Sequence, residues 1–179
     1  MNIPNILTVI RFIVIPVFAY YLLLGSGYYS IAVILFLLAG MTDILDGYIA
    51  RKFNMITSFG KLADPLADKL LQITALLILT YQNKIPFIIL TIIIVKEGFM
   101  AAGGILLYKK ENYVVTSNWY GKAATVIFYF AIIMILFNEP YSNYFIIIAL
   151  LSAVFAFFMY ILTYIRIKKN LKESKKAEQ

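Results

Sequence analysis

Six long apolar stretches follow one another along the chain, and short polar segments separate them. Each stretch is about 20 residues long, which is the length that an α-helix needs to cross the hydrocarbon core of a bilayer. The pattern predicts an all-α integral membrane protein with six transmembrane helices. The predicted spans are 6–24, 30–53, 61–81, 85–108, 119–137 and 143–165.

The composition supports this class of protein. Hydrophobic residues make up 63% of the 179 residues and charged residues only 14%, with a mean hydropathy of +0.86. In soluble domains the apolar share is about half. We therefore expect one membrane domain at 1–165, followed by a basic tail at 166–179. We expect no removable signal peptide, because no basic region precedes the first apolar stretch.

The basic residues are distributed unevenly among the polar segments. They concentrate between spans two and three, between spans four and five, and after span six, whereas the opposite segments carry only Lys84. Because Lys and Arg are enriched in cytoplasmic loops, this predicts a plasma-membrane protein with both termini in the cytoplasm. The net charge of +7 does not favour nucleic-acid binding, since the basic residues border membrane spans.

The second and third spans contain four of the nine acidic residues, Asp43, Asp46, Asp64 and Asp68. Each pair, at i, i+3 and at i, i+4, shares one helix face. Because the connection between the spans is short, we expect antiparallel neighbours whose carboxylates converge at the cytoplasmic side. Like charges repel at close range, and each acid near a helix centre costs about 2.5–3.5 kcal/mol to insert. The cluster therefore predicts bound cations.

The chain contains no histidine and no cysteine, so the acids would be all-oxygen ligands. Such ligands suit Mg²⁺, Mn²⁺ or Ca²⁺. Four carboxylates balance two divalent ions, and an ion pair about 3.5–4 Å apart is a known device for displacement at phosphorus. Gly47, Ala50 and Gly60 lie on the same faces and leave space for a bulky ligand.

Two alternatives follow from the same residues. The acids could instead form interfacial salt bridges with nearby cations, which are Arg51, Lys52, Lys61 and Lys69. They could also belong to an ion pathway, although they cluster at one end of the spans rather than crossing the membrane.

The spacing of the acidic residues resembles the signature of the CDP-alcohol phosphatidyltransferase family. In this chain the signature reads Asp43-x-x-Asp46-Gly47-x-x-Ala50-Arg51, then eight residues, then Gly60-x-x-x-Asp64-x-x-x-Asp68. Length, spans and orientation agree as well, so the resemblance extends over nearly the whole chain. The opening Asn5-x-x-Thr8-x-x-Arg11 is similar to the first helix of the bacterial phosphatidylglycerophosphate synthases, a branch of that family.

The resemblance implies an intramembrane homodimer with two Mg²⁺ or Mn²⁺ ions, CDP-diacylglycerol as donor and an alcohol as acceptor. It implies that the four aspartates bind the metals and that Asp68 is also the general base for the acceptor hydroxyl. The residues that it assigns to the CDP group of the donor are Asn5, Thr8, Gly47, Ala50, Arg51 and Gly60.

The acceptor stays open between glycerol 3-phosphate and phosphatidylglycerol, which is the acceptor of a cardiolipin synthase. A phosphate dianion needs a basic pocket, for which we predict Arg11, Lys96 and Lys122. Spans four and five depart from the synthase pattern, because two expected cations are missing and one is changed. Two further classes, an ion transporter and a membrane protein without activity, complete the alternatives.

Overall fold

The computed structural model describes residues 2–53, 55, 57–111, 119–137 and 141–177. Within these ranges the chain forms six α-helices and a short 3₁₀ helix (Ser26–Tyr28), and no strand. The helices are α1 (Ile3–Leu23), α2 (Tyr29–Lys52), α3 (Ser58–Tyr81), α4 (Phe87–Glu111), α5 (Trp119–Leu136) and α6 (Ser142–Ala177). The all-α prediction is confirmed, and α6 continues through the predicted tail.

Five helical stretches in the described part of the chain are long and apolar enough to cross a membrane. They are Pro4–Leu23, Ser26–Ala50, Phe87–Ile105, Trp119–Leu136 and Ser142–Lys168. The chain is thus a multi-pass membrane protein. The predicted span 61–81 corresponds to α3, which has 24 residues but is not among the five. Its first half carries Asp64, Asp68 and Lys69, which lower its hydropathy.

The helices form two compact units, Met1–Pro86 and Phe87–Gln179. In the first unit α1 packs against both α2 and α3, whereas α2 and α3 touch each other only slightly. The rings of Phe18 and Phe36 stack between α1 and α2 with their centroids 5.4 Å apart, and both side chains are fully buried. The first helix therefore mediates most of the packing in this unit, a role that the apolar pattern did not predict.

One end of the first unit is held by a neutral side chain. The Gln82 amide nitrogen donates to the Leu22 carbonyl at 2.7 Å, and the Tyr29 hydroxyl donates to the Gln82 amide oxygen at 3.0 Å. These bonds join the end of α1, the start of α2 and the residue after α3. The acidic residues lie toward the other end of the same helices.

In the second unit α6 packs against both α4 and α5. Tyrosine hydroxyls make the polar contacts between these helices. The Tyr120 hydroxyl lies 3.1 Å from the Thr163 hydroxyl, and the Tyr160 hydroxyl donates to the Met100 carbonyl at 3.1 Å. A Cβ atom at Gly103 would lie 3.2 Å from the Tyr160 hydroxyl oxygen, so glycine allows this close approach.

Candidate active site

The first helix presents a polar face to its two neighbours. Asn5, Thr8 and Arg11 follow one another at intervals of three residues, so they lie on the same side of α1. Thr8 and Arg11 are fully buried, which is uncommon for an arginine unless its charge is paired. The partners of these three side chains define the site.

Arg11 joins the first helix to both acids of the second. Its Nη1 donates to Asp43 Oδ1 at 2.6 Å, and its Nη2 donates to Asp46 Oδ2. The planar guanidinium has donors on separate nitrogens, so one side chain can bridge two carboxylates that lie one helical turn apart. The side chain of Asp46 is 2% exposed and that of Asp43 is 39% exposed. One ion pair is thus buried and the other is open on one side.

Thr8 makes the corresponding contact with the third helix. Its hydroxyl oxygen lies within hydrogen-bond distance of Asp64 Oδ1 and of the Pro4 carbonyl. A hydroxyl has one proton, and a carboxylate is the stronger acceptor, so we assign the donated bond to Asp64. The face of α1 therefore contacts acids of both α2 and α3.

Asn5 contacts the start of α3. The Thr57 hydroxyl donates to Asn5 Oδ1 at 2.7 Å and accepts from the Gly60 backbone N–H at 3.0 Å, which caps the helix. A Cβ atom at Gly60 would lie 3.2 Å from the Thr57 hydroxyl oxygen and 3.4 Å from both Asn5 Oδ1 and Asp64 Oδ2. The space next to Gly60 is thus lined by these oxygens.

Asp68 lies one turn beyond Asp64 and has a different environment. Gln72 Nε2 donates to its Oδ2 at 2.9 Å, and Lys69 Nζ lies 4.0 Å from the same oxygen. The carboxylate is partly exposed. Thr8 and Arg11 lie one turn apart on α1 and bind Asp64 and the two acids of α2, so the acids of the two helices face the same stretch of α1.

The structure brings together the four aspartates that the sequence predicted as metal ligands. Among the described residues, however, no three acidic side chains surround a common point that could hold an ion. Arg11 binds two of the four carboxylates in this arrangement. The carboxylate-only donor set fits Mg²⁺ or Mn²⁺ in its chemistry. Metal binding by these four residues stays a prediction.

Arg11, which we expect to bind the phosphate of the acceptor, contacts carboxylates with both of its terminal nitrogens. Binding of the acceptor by Arg11 stays a prediction. Asn5, Thr8 and Gly60, which we assigned to the donor, lie beside the acids on α1 and α3. In the structure Thr8 contacts Asp64 and Asn5 contacts Thr57. Binding of the donor by these residues stays a prediction.

The other predicted binding residues are spread over both units. Gly47 and Ala50 are partly exposed on α2, and the side chain of Arg51 lies outside the described part. Lys96 Nζ pairs with Glu97 Oε1 at 2.6 Å within α4, and Lys122 is exposed on α5. Binding of the donor or the acceptor by these residues remains a prediction.

The cations that we proposed for the salt-bridge alternative have different surroundings. Lys69 is 4.0 Å from Asp68, and Lys52 lies over the rings of Tyr48 and Phe53 at 5.5 and 5.8 Å. The side chains of Arg51 and Lys61 lie outside the described residues. Asp43 and Asp46 pair with Arg11, a cation of the first helix.

Sequence reasoning missed two residues that support the site. Gln72 follows Asp68 by four residues, a spacing that places both on one helix face and could have indicated the contact. Thr57 precedes the first residue of α3, where a threonine is a common helix cap. No pattern indicated that Thr57 would also bind Asn5, which is 52 residues away.

Comparison with known proteins defines the class to which this fold and site belong. The family model for CDP-alcohol phosphatidyltransferase matches residues 1–164. The chain therefore belongs to the CDP-alcohol phosphatidyltransferase family, and the resemblance drawn from the acidic signature is confirmed.

Individual relatives carry two different names. A CDP-diacylglycerol–glycerol-3-phosphate 3-phosphatidyltransferase of Rickettsia felis is 44% identical over 98 residues, which cover 54% of each chain. The chain thus spans about half the length of this relative. A protein of the same name from Haemophilus influenzae is 36% identical over 155 residues, covering 84% of this chain and 82% of the relative. A cardiolipin synthase (CMP-forming) of Streptomyces coelicolor is 31% identical over 159 residues, covering 87% and 72%.

Proposed function

We propose that this chain transfers the phosphatidyl group of CDP-diacylglycerol to glycerol 3-phosphate, giving phosphatidylglycerophosphate and CMP. The relatives from Rickettsia felis and Haemophilus influenzae are named for this reaction. The observation that carries the proposal is that one face of α1 contacts acids of two helices, since Arg11 binds Asp43 and Asp46 and Thr8 binds Asp64. Asp68 lies one turn beyond Asp64 on the same helix. Packing alone gives no reason to gather four carboxylates in one place, because like charges repel.

The proposed chemistry is a displacement at the phosphorus that bears the lipid. The acceptor hydroxyl oxygen forms the new bond to this phosphorus, the bond to the CMP oxygen breaks, and CMP leaves with the electron pair. Asp68 accepts the hydroxyl proton as the general base. Its hydrogen bond from Gln72 and its partial exposure suit this role, since the group is oriented and accessible.

Two divalent ions, Mg²⁺ or Mn²⁺, are part of the proposal. Asp43, Asp46, Asp64 and Asp68 would hold them, and the ions would neutralise charge on the pyrophosphate of the donor. Thr8 orients Asp64 by its hydrogen bond, and Arg51 is proposed to contact phosphate oxygens. The acyl chains of the donor would stay in the surrounding lipid.

We further propose a homodimer in the plasma membrane with both termini in the cytoplasm. The dimer follows from the family resemblance, and the orientation follows from the distribution of Lys and Arg. Because the chain has no cysteine, single cysteines test the orientation directly. A cysteine at Ser58 should react with an impermeant reagent only from the cytoplasmic side, and one at Ser142 only from the outside. The reverse pattern would overturn the orientation.

A second candidate function is that of a cardiolipin synthase, with phosphatidylglycerol as acceptor. The Streptomyces coelicolor relative favours it, since that match covers most of both chains. The residues around Lys96 and Lys122 favour it too, because fewer cations suit a less charged acceptor.

An acceptor screen tests both functions. The purified protein in lipid nanodiscs receives CDP-diacylglycerol, Mn²⁺ or Mg²⁺, and either glycerol 3-phosphate or phosphatidylglycerol, and released CMP is measured. We expect CMP release with glycerol 3-phosphate and a product of the mass of phosphatidylglycerophosphate. Release with phosphatidylglycerol alone would select the cardiolipin synthase, and release with neither acceptor would overturn both. Full CMP release in EDTA would show that the metal dependence is wrong.

A further inference from the structure

We propose that Arg11 is an internal counter-cation that competes with divalent ions for Asp43 and Asp46. It contacts one oxygen of each carboxylate, and an ion that takes either of these oxygens must displace it. The inference rests on the proposed function, because it concerns the metal ligands of that reaction. It changes the role of Arg11 from a binding residue for the acceptor to a positioning residue that sets the ion affinity of the site.

The first observation is the geometry of the guanidinium. Nη1 contacts Asp43 and Nη2 contacts Asp46, so the two terminal nitrogens cover one oxygen on each carboxylate. Those two residues are the acids that α2 would supply to a metal. A carboxylate oxygen that accepts a short charge-assisted hydrogen bond is a poorer ligand, so the arginine and an ion compete for the same atoms.

The second observation is that Arg11 contacts the acidic cluster although one of its nitrogens has no hydrogen-bond partner there. The side chain is fully buried, and Nε has no hydrogen-bond partner among the described residues. A buried donor without a partner is unfavourable. A guanidinium that served structure alone would be expected to have all of its nitrogens satisfied.

Charge explains why such a residue is useful. Four aspartates without a cation would repel one another in a site that is partly buried, which disfavours folding and membrane insertion. One arginine offsets a quarter of this charge before any ion is present. Once two divalent ions balance the four carboxylates, the same positive charge repels them. Arg11 therefore stabilises the ion-free state and lowers the ion affinity.

The test compares three single variants of the full chain in nanodiscs, with Mn²⁺ alone as the probe. Arg11→Met removes the charge and keeps an apolar stem of similar length. Arg11→Lys keeps the charge but has one nitrogen, which cannot bridge both acids in the same way. Lys84→Met is the matched control, since it removes one positive charge at the Gln82 end of the same unit. Free Mn²⁺ is measured by electron paramagnetic resonance, and thermal unfolding is followed in EDTA and in Mn²⁺.

We expect Arg11→Met to unfold at a lower temperature than wild type in EDTA and to bind Mn²⁺ about tenfold more tightly or better. The direction follows from removing a unit charge a few ångströms from the ion. The Mn²⁺ affinity of Arg11→Lys should lie between those of wild type and Arg11→Met. If Arg11→Met does not fold, the affinity of Arg11→Lys tests the inference. Lys84→Met should bind Mn²⁺ like wild type.

Unchanged or weaker Mn²⁺ binding by the Arg11 variants would overturn the inference, and so would an equal change in Lys84→Met. If wild type itself does not bind Mn²⁺, the metal dependence of the proposed function fails and this inference fails with it. If wild type binds and the Arg11 variants match it, only the inference fails.

Discussion

The polar contacts between helices differ in charge between the two units of this chain. The first unit combines the neutral bonds of Gln82 with charged contacts between α1 and α2, through Arg11 with Asp43 and Asp46. In the second unit, neutral tyrosine hydroxyls connect the helices, as Tyr160 does with the Met100 carbonyl. Both the ion pairs and the hydroxyl hydrogen bonds provide partners for polar groups between membrane helices.

The difference teaches which contacts serve stability and which serve chemistry. A neutral hydrogen bond between membrane helices contributes about 0.6 kcal/mol on average, with little desolvation cost. A buried ion pair is often no better than a well-packed apolar pair, because two charges must lose their water. The described contacts between helices of the second unit are therefore of the neutral kind that stabilises at little cost. The charged contacts of the first unit require a functional explanation.

The largest effect should come from Asp68→Asn, which keeps the shape and removes the proton acceptor. We expect turnover in the CMP-release assay to fall by about 10²–10⁴, the usual contribution of general base catalysis. The melting temperature should stay near wild type. A variant that keeps more than a tenth of the turnover would show that Asp68 is not the base.

The next effect concerns the ion pair of Arg11. Asp46→Ala should lower the free energy of unfolding in EDTA by about 3–5 kcal/mol, because it leaves part of a buried charge without its partner. Asp43→Ala is the matched variant, since its carboxylate accepts from the same guanidinium but is 39% exposed. We expect a smaller loss there, measured by denaturant titration. Equal losses would mean that burial does not distinguish the two pairs.

A smaller effect is expected in the second unit. Tyr160→Phe removes one hydroxyl and leaves the ring in place, so the Met100 carbonyl loses this bond. The free energy of unfolding should fall by about 0.5–1.5 kcal/mol. CMP release by the folded protein should persist, because the contact is neutral and structural. If turnover fell as far as in Asp68→Asn, the division between the units would be wrong.

The smallest effect should come from Lys84→Met. This lysine lies over the ring of Tyr29 with its nitrogen 5.0 Å from the ring centroid. A cation–π contact contributes about 0.5–1 kcal/mol at exposed sites and more where it is desolvated, so we expect a loss of about 1 kcal/mol here, where Tyr29 is buried and Lys84 is partly exposed. Turnover should not change. A large loss of activity would show that a cation outside the acidic cluster also affects the chemistry.

The site shows how far sequence reasoning reaches. The i, i+3 and i, i+4 spacings correctly placed the acids of each helix on one face, because helical geometry is local. The same reasoning put Thr8 and Arg11 on one face of α1. It did not reveal that Arg11 binds Asp43 and Asp46, since the partners are more than 30 residues away in the chain.

The sequence by itself determined the class of protein and the family. Apolar stretches about 20 residues long are sufficient for the class, because few other structures satisfy the backbone in lipid. The α6 helix ran beyond its predicted span to Ala177, since the polar tail contains good helix formers and no glycine or proline.

Only the tertiary structure decided which helices pack together and which charges meet. In a membrane helix the faces toward lipid and toward protein are both apolar, so hydrophobic periodicity does not identify the packed face. The place of α1 against both α2 and α3 therefore had to come from packing. In the sequence Arg11 is an isolated cation in an apolar stretch. The packing of α1 against α2 brings it into contact with Asp43 and Asp46.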